Sequence, residues 1–281
     1  MRIAITGASG FIGRRLSGAL AAAGHTVEPV GRQGPPDESL RGCDAVLHLA
    51  GEPVAQRWSE AAKARIRDSR VAGTAGLVTA IARLRRAPEV LVCSSAIGYY
   101  GSRGDEILTE TSAPGGDFLA ETCVAWEREA ARAEALGVRV AMLRTGHVLG
   151  AGGGLLQRIL PPFRAGAGGR LGNGRQWMSW IHIADMVSLF EWAIANPVSG
   201  AFNAVAPYPV TNAGFTRALA AALHRPAIFP VPKLALRLLF GEMADVIVSS
   251  QRVLPESARA AGFAFRYPEL APALEDILRP Q

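Results

Sequence analysis

The stretch Thr6-Gly7-Ala8-Ser9-Gly10-Phe11-Ile12-Gly13 constrains this 281-residue chain more than any other. It follows a β-branched run at residues 2–6 and opens an amphipathic stretch at 11–23. Gly7 and Gly10 let the backbone turn sharply and come close to a pyrophosphate, and Gly13 lets the helix lie tight against the sheet. The free N–H groups and the positive end of that helix would face the phosphates. A strand, three spaced glycines and a helix in this order read as a dinucleotide-binding turn.

The same alternation continues. Residues 26–30, 45–48, 90–94 and 138–144 read as strands, and 59–83 and 118–136 show helical spacing of apolar positions. Near-continuous apolar strands separated by helices imply an α/β fold, a doubly wound parallel sheet of the Rossmann type covered on both faces. Two further strands are expected at 180–183 and 201–205, separated by a helix with Asp185 as its N-cap. The glycine-rich stretch 150–174 reads as a loop over a binding cleft. After Pro207 the pattern changes to helical pieces broken by prolines. The expected division is a dinucleotide-binding domain at 1–150, with 178–206 returning to it. Residues 151–177 and 207–281 then form a smaller substrate lobe.

Composition narrows the function classes. With 49% hydrophobic and 19% charged residues, the chain has the material for a large core and excludes disorder or low complexity. No apolar run approaches the ~18 residues of a membrane span. The chain starts directly on a strand, with no basic-then-apolar leader, so a cytoplasmic location is expected. The net charge is +6, but the basic residues are scattered, and only Lys63 and Lys233 are lysines. Scattered charge gives no nucleic-acid arm, and an anionic small molecule is the expected partner. Cys43, Cys93 and Cys123 are odd in number and far apart, which fits buried reduced thiols and no metal site. Oligomeric state is open.

The end of the second strand selects the nucleotide. An acid there would hold the ribose hydroxyls and repel a 2′-phosphate. This chain has Val30-Gly31-Arg32 instead, and Glu28 comes two residues early. Arg32, with Arg14 just after Gly13, can pair with a 2′-phosphate, so NADP(H) is the expected cofactor.

Taken together, GASGFIG at 7–13, HLAGE at 48–52, SRVAGT at 69–74, SSAIGYYG at 94–101, FLAETCVAWE at 118–127, RTGHVLG at 144–150 and LGNGRQWMSWIHIAD at 171–185 resemble the extended short-chain dehydrogenase/reductase superfamily. With PVTN at 209–212 and the stretch from Ser250 to Pro268, the whole set resembles more closely its atypical "epimerase family" branch. The resemblance implies a Rossmann domain with a C-terminal substrate lobe. It also implies cofactor contacts from Gly7, Gly10, Phe11, Ile12, Gly13, Arg14, Arg32, Leu49, Ala50, Gly51 and Glu52.

In that superfamily a Ser ends the fourth strand beside the substrate, and a Tyr and a Lys four residues apart on the next helix exchange the proton while hydride moves. Ser95 matches the Ser, with Ser94 next to it. Aligned on Glu127, the Tyr position holds Leu119 and the Lys position holds Cys123. Arg70 stands where an Asn is usual. An enzyme would need another proton donor, from Tyr99, Tyr100 or His147, with Arg70 supplying the missing positive charge. The bland readings are a packed tyrosine, a hydrogen-bonded histidine and a core thiol. Met178 falls where nucleotide-sugar enzymes carry an Arg, which argues against a sugar nucleotide. Gln176, Trp177 and Trp180 either line the cleft or pack between lobes, and Glu127 reads as a solvated or capping carboxylate. Two functions follow: an NADP(H)-dependent oxidoreductase or epimerase-like enzyme on a small carbonyl or hydroxyl substrate, or a non-catalytic NADPH sensor.

Overall fold

The computed structural model describes residues 1–31 and 36–279. The chain begins β1 (Arg2–Thr6), α1 (Phe11–Ala22), β2 (Thr26–Val30), α2 (Pro36–Leu40), β3 (Ala45–His48) and α3 (Glu60–Ala82). It continues through β4 (Val90–Ala96), a 3-10 turn (Ile97–Tyr100), β5 (Ile107–Leu108), α4 (Phe118–Ala131), β6 (Arg139–Thr145) and β7 (His147–Leu149). Next come α5 (Gly154–Arg164), β8 (Trp177–Met178), β9 (Trp180–His182), α6 (Ile183–Ala195) and β10 (Gly200–Ala204). The end of the chain holds β11 (Val210–Thr211), α7 (Asn212–Leu223), α8 (Lys233–Phe240), α9 (Met243–Ile247), β12 (Arg252–Val253), α10 (Glu256–Ala260) and α11 (Leu270–Leu278).

Among the described residues, six strands form one parallel sheet in the order β2-β1-β3-β4-β6-β10. Alternation along each strand sorts the core onto two faces. Ile3, Ile5, Leu47 and Val92 meet Leu16 and Leu20 of α1 and Met186, Leu189 and Phe190 of α6. Ala4, Val46, Leu91 and Cys93 meet Leu77, Val78 and Ile81 of α3 and Trp126 of α4. Full burial of side chains such as Phe190 and Leu189 stabilises the fold by ~1.5–3 kcal/mol each. The chain order reverses at β1, whose neighbours β2 and β3 are reached on opposite sides. Such a switch point opens a crevice at the carboxyl ends of the strands.

Three expectations change. The strand Trp180–His182 is outside the main sheet and pairs with His147–Leu149. The glycine-rich stretch carries helix α5, whose Leu156 and Phe163 lie seven residues apart on one buried face. They join Trp180, Phe215, Leu219, Leu270 and Leu274 in a separate core beneath the C-terminal elements. Asp185 does not cap α6. His182 is the cap, its Nδ1 accepting from Ala184 N at 3.0 Å. Asp185 is buried and accepts from the backbone N–H groups of Arg266 and Tyr267 at 2.8 and 2.9 Å, anchoring the C-terminal segment. Among the described residues no helix is long and apolar enough to cross a membrane.

Candidate functional site

A cleft of about 930 Å³ opens at the switch point. Its floor is the turn after β1, from Thr6 to Gly10, and the segment after β3, from His48 to Gly51. Pro29, Val30 and Gly31 form one wall; Ser69, Ala72, Gly73, Gly76, Thr79 and Ala80 of α3, with Arg83 just after it, form the other. The turn has the form a phosphate needs. Gly7 sits at φ +73°, and a Cβ there would meet the backbone of Leu49 and Ala50 at 2.9 Å. A Cβ at Gly13 would lie 2.2 Å from the carbonyl oxygen of Gly7, so only glycine fits where α1 crosses the turn. Gly10, by contrast, has only Gly7 O at 3.2 Å, leaving its open side to a ligand. The shape and the start of a twelve-residue helix at the turn fit a dinucleotide.

A buried histidine braces this floor. His48 Nδ1 is 2.6 Å from Thr6 Oγ1, and its Nε2 is 2.9 Å from Thr74 Oγ1 on α3. Thr6 Oγ1 also accepts from the N–H groups of Leu49 and Ala50, both at 3.2 Å. One network thus joins β1, β3 and α3 around the cleft. Desolvation holds the imidazole neutral, with its pKa lowered to about 4. The sequence shows a His before LAG but not its two hydroxyl partners, which come from distant segments.

The residues expected to touch the cofactor divide into groups. Gly7, Gly10, Leu49, Ala50 and Gly51 line the cleft. Phe11 and Ile12 instead pack against the core under α1. The ring of Phe11 fills the space a Cβ at Gly153 would need, at 2.1 Å, which explains glycine at the start of α5. Arg14 is exposed and folds back on Ser9 O at 2.5 Å. Arg32 lies outside the described residues. Glu52 is not in the cleft wall; its carboxylate reaches Gln56 and Arg65. Among the described lining residues there is no carboxylate, whereas Arg83 is present. Glu28 is engaged elsewhere, 3.2 Å from Arg2.

The expected reacting groups are differently placed. Ser95 is buried and donates to Glu127 Oε1 at 2.6 Å. Glu127, expected as a solvated or capping acid, is the buried partner of Arg144: Nε to Oε1 at 2.9 Å and Nη2 to Oε2 at 2.8 Å. Tyr100 is fully buried; its hydroxyl donates to Asn203 Oδ1 at 2.6 Å and accepts from Arg144 Nη1 at 3.0 Å. Burial pushes the Tyr100 phenol up to about 12, against the opposing pull of Arg144. Tyr99 is half-buried, its ring 3.5 Å from the Arg144 guanidinium carbon. Tyr100 is therefore a bracing side chain, and Ser95 has its proton committed. The missed roles are those of Arg144 and Asn203: Arg144 opens the RTGHVLG stretch, but its partners Glu127 and Tyr100 come from other segments.

Leu119 and Cys123 lie against Gly98 of the 3-10 turn. The Cys123 thiol sits beside Ser95 and Ala96, and burial, with the Glu127 charge adding, pushes it up to about 12. A thiol held protonated in this way is a poor nucleophile. Arg70 is half-buried beside Gly51 and Trp126. His147 starts β7, its backbone N–H bonded to Ser179 O at 2.9 Å, and desolvation lowers the pKa of its imidazole. Gln176 is buried and donates to Leu171 O, and Trp180 is fully buried. Trp177 donates through Nε1 to Asp105 at 2.7 Å, and Met178 Sδ accepts from Asn212.

The switch-point cleft, the glycine turn and the parallel sheet define an atypical extended short-chain dehydrogenase/reductase fold. Residues 3–205 match the NAD dependent epimerase/dehydratase family, and the chain belongs to that family. Residues 231–277 match a domain of unknown function, DUF1731. The chain is 42% identical to epimerase family protein Mb2239 of Mycobacterium bovis, covering 97% of this chain and 96% of that one. It is 37% identical to epimerase family protein YfhF of Bacillus subtilis, with 99% and 98% covered. Its fold is similar to a crystal structure of human epimerase family protein SDR39U1 (isoform 2) with NADPH. That similarity has a TM-score of 0.93 at 34% identity and covers 99% of each chain.

Proposed function

We propose that this protein binds NADPH in the cleft at β1 and β3 and reduces a small carbonyl compound. The observation that carries the reading is the cleft itself: a glycine turn shaped for pyrophosphate, joined to an adenosine wall with no carboxylate among its described residues. The related human structure with NADPH supports it. In this reading Gly7 and Gly10 with the start of α1 hold the pyrophosphate, and Arg32 and Arg14 favour the 2′-phosphate. NADPH, when bound, supplies the hydride. The substrate then lies near Gly51 and Cys123, and the proton is relayed through His147, whose imidazole is kept neutral by desolvation, which lowers its pKa.

A second reading is an NADPH-binding sensor. It is favoured by Leu119 and Cys123 in the positions of the usual Tyr and Lys, and by the engaged hydroxyls of Ser95 and Tyr100. Two measurements separate the readings. Calorimetry with NADPH and NADH tests the site, and a screen of carbonyl and quinone compounds for NADPH oxidation tests turnover. Binding with turnover is expected; tight binding without turnover under every condition selects the sensor, and no binding removes both.

A further inference from the structure

Arg70 projects from the middle of α3 as a half-buried cation that makes no ion pair among the described residues. Its Nη1 donates to the backbone oxygens of Glu52 and Ile66, each at 3.0 Å, with Ser69 Oγ 3.5 Å away. Among the described residues Nε and Nη2 reach no protein acceptor, yet neither is sealed from water. The nearest acid, Glu52, directs its carboxylate to Gln56 Nε2 at 3.2 Å and Arg65 Nε at 3.8 Å. The guanidinium is fixed in place. Its carbon lies 5.3 Å from the Trp126 ring centre, and a Cβ on Gly51 would come within 3.3 Å of it.

A half-desolvated charge tied only to neutral carbonyls is poorly compensated, and burial lowers the Arg70 pKa against the opposing influence of Cys123 and Glu52. The engaged Nη1 leaves the Nε–Nη2 edge as a planar two-donor fork, the shape that receives a carboxylate with two parallel bonds. The guanidinium stands beside Gly51, a residue that lines the cleft, and near Cys123. From this juxtaposition we infer that Arg70 receives a carboxylate group of the substrate, which is therefore a small carbonyl or hydroxy acid. The inference rests on NADPH filling the cleft.

The test uses the NADPH-loaded protein. NADPH affinity is first measured for wild type, Arg70→Gln and Arg70→Lys, and each loaded protein is then titrated calorimetrically with oxamate and with uncharged acetamide. Wild type should bind oxamate and not acetamide. Arg70→Gln should lose oxamate affinity roughly ten-fold or more, the scale of a charged hydrogen-bonded pair, and Arg70→Lys should keep part of it. NADPH affinity should stay within about three-fold in all three, which also shows that the variants fold. Oxamate binding that is absent in wild type, or unchanged in Arg70→Gln, overturns the assignment. A parallel loss of NADPH affinity in Arg70→Gln overturns it too, placing the guanidinium on the cofactor. Failure of wild type to bind NADPH removes the cofactor reading itself, and is seen before any oxamate is added.

Discussion

Glu127 and Arg144 form a two-pronged ion pair inside the protein, with Nε···Oε1 at 2.9 Å and Nη2···Oε2 at 2.8 Å. Both side chains are at least nine-tenths buried. The pair ties α4 to β6. Ser95 adds a third bond to the carboxylate, and Tyr100 hands the network on to Asn203 in β10. For Arg144, burial alone would lower the pKa, but the Glu127 carboxylate outweighs it and keeps the guanidinium charged. Glu127→Gln leaves a buried cation with half of its compensation. It should cost ~3–5 kcal/mol, the usual penalty for removing one partner of a buried pair. Urea denaturation gives the number; a midpoint equal to wild type would mean that the pair is not what holds these elements together.

Two glycines of the phosphate turn should fail in different ways. Gly13→Ala forces a methyl group to 2.2 Å from Gly7 O, so it should disturb the turn and lower stability as well as binding. Gly10→Val meets only one atom, at 3.2 Å, and presents its bulk to the cleft. Its melting temperature should stay near wild type while NADPH affinity falls roughly ten-fold or more, a loss of ~1.4 kcal/mol. Wild-type NADPH affinity in Gly10→Val would move the phosphates elsewhere.

How much of this was legible in the sequence depended on how local each feature is. The strands from Arg2 to Thr145 and the helices between them follow from period and glycine placement, which act over a few residues. Between β2 and β3 the described residues hold α2 alone. That short gap is visible in the sequence. The Glu127–Arg144 pair, the Asp185 anchor and the Thr6–His48–Thr74 brace were not legible, since each joins segments 17 to 82 residues apart and leaves no local pattern. Capping misled for the same reason. Asp185 is a good N-cap residue, but the backbone of Arg266 and Tyr267 claims its carboxylate.

The pH dependence of stability should carry the mark of His48. Its folded pKa, about 4, lies below the ordinary value of 6.5, so the unfolded chain binds more protons between these limits. Stability is fully present above about pH 6.5 and is lost as pH falls toward 4. The loss is on the order of 3 kcal/mol for this group. His147 and His182 are shifted the same way, so the test is the difference in slope between wild type and His48→Gln, from urea midpoints across that range. Parallel slopes would show that His48 titrates normally.

Nucleotide choice should rest on Arg32. If its guanidinium meets the 2′-phosphate, Arg32→Ala should weaken NADPH by ~1.5–3 kcal/mol, as for a hydrogen bond to a charged group, and leave NADH nearly unchanged. Calorimetry of both nucleotides on both proteins decides it. Equal affinities in wild type would sink the assignment before the variant is made.

The proton donor separates the side chains that hold the fold from those that face a substrate. Ser95 gives its proton to Glu127, and the Tyr100 hydroxyl is held from both sides with no exposed surface. Tyr99 lies with its ring against the Arg144 guanidinium. Cys123, pushed up to about 12 by burial, holds its proton too tightly to exchange it near neutral pH. His147 stands where the chain leaves β6 at the carboxyl edge of the sheet, and desolvation lowers its pKa, so its neutral imidazole can relay a proton taken up from water. Once a substrate is found, His147→Asn should lower kcat by ~10²–10⁴-fold with NADPH affinity unchanged. Tyr100→Phe should lower stability and leave kcat within a few-fold, because the hydroxyl it deletes serves Arg144 and Asn203. Single-turnover rates beside melting curves for wild type and both variants distinguish these effects. Turnover lost in Tyr100→Phe while the protein stays folded would show that the buried network itself carries the proton.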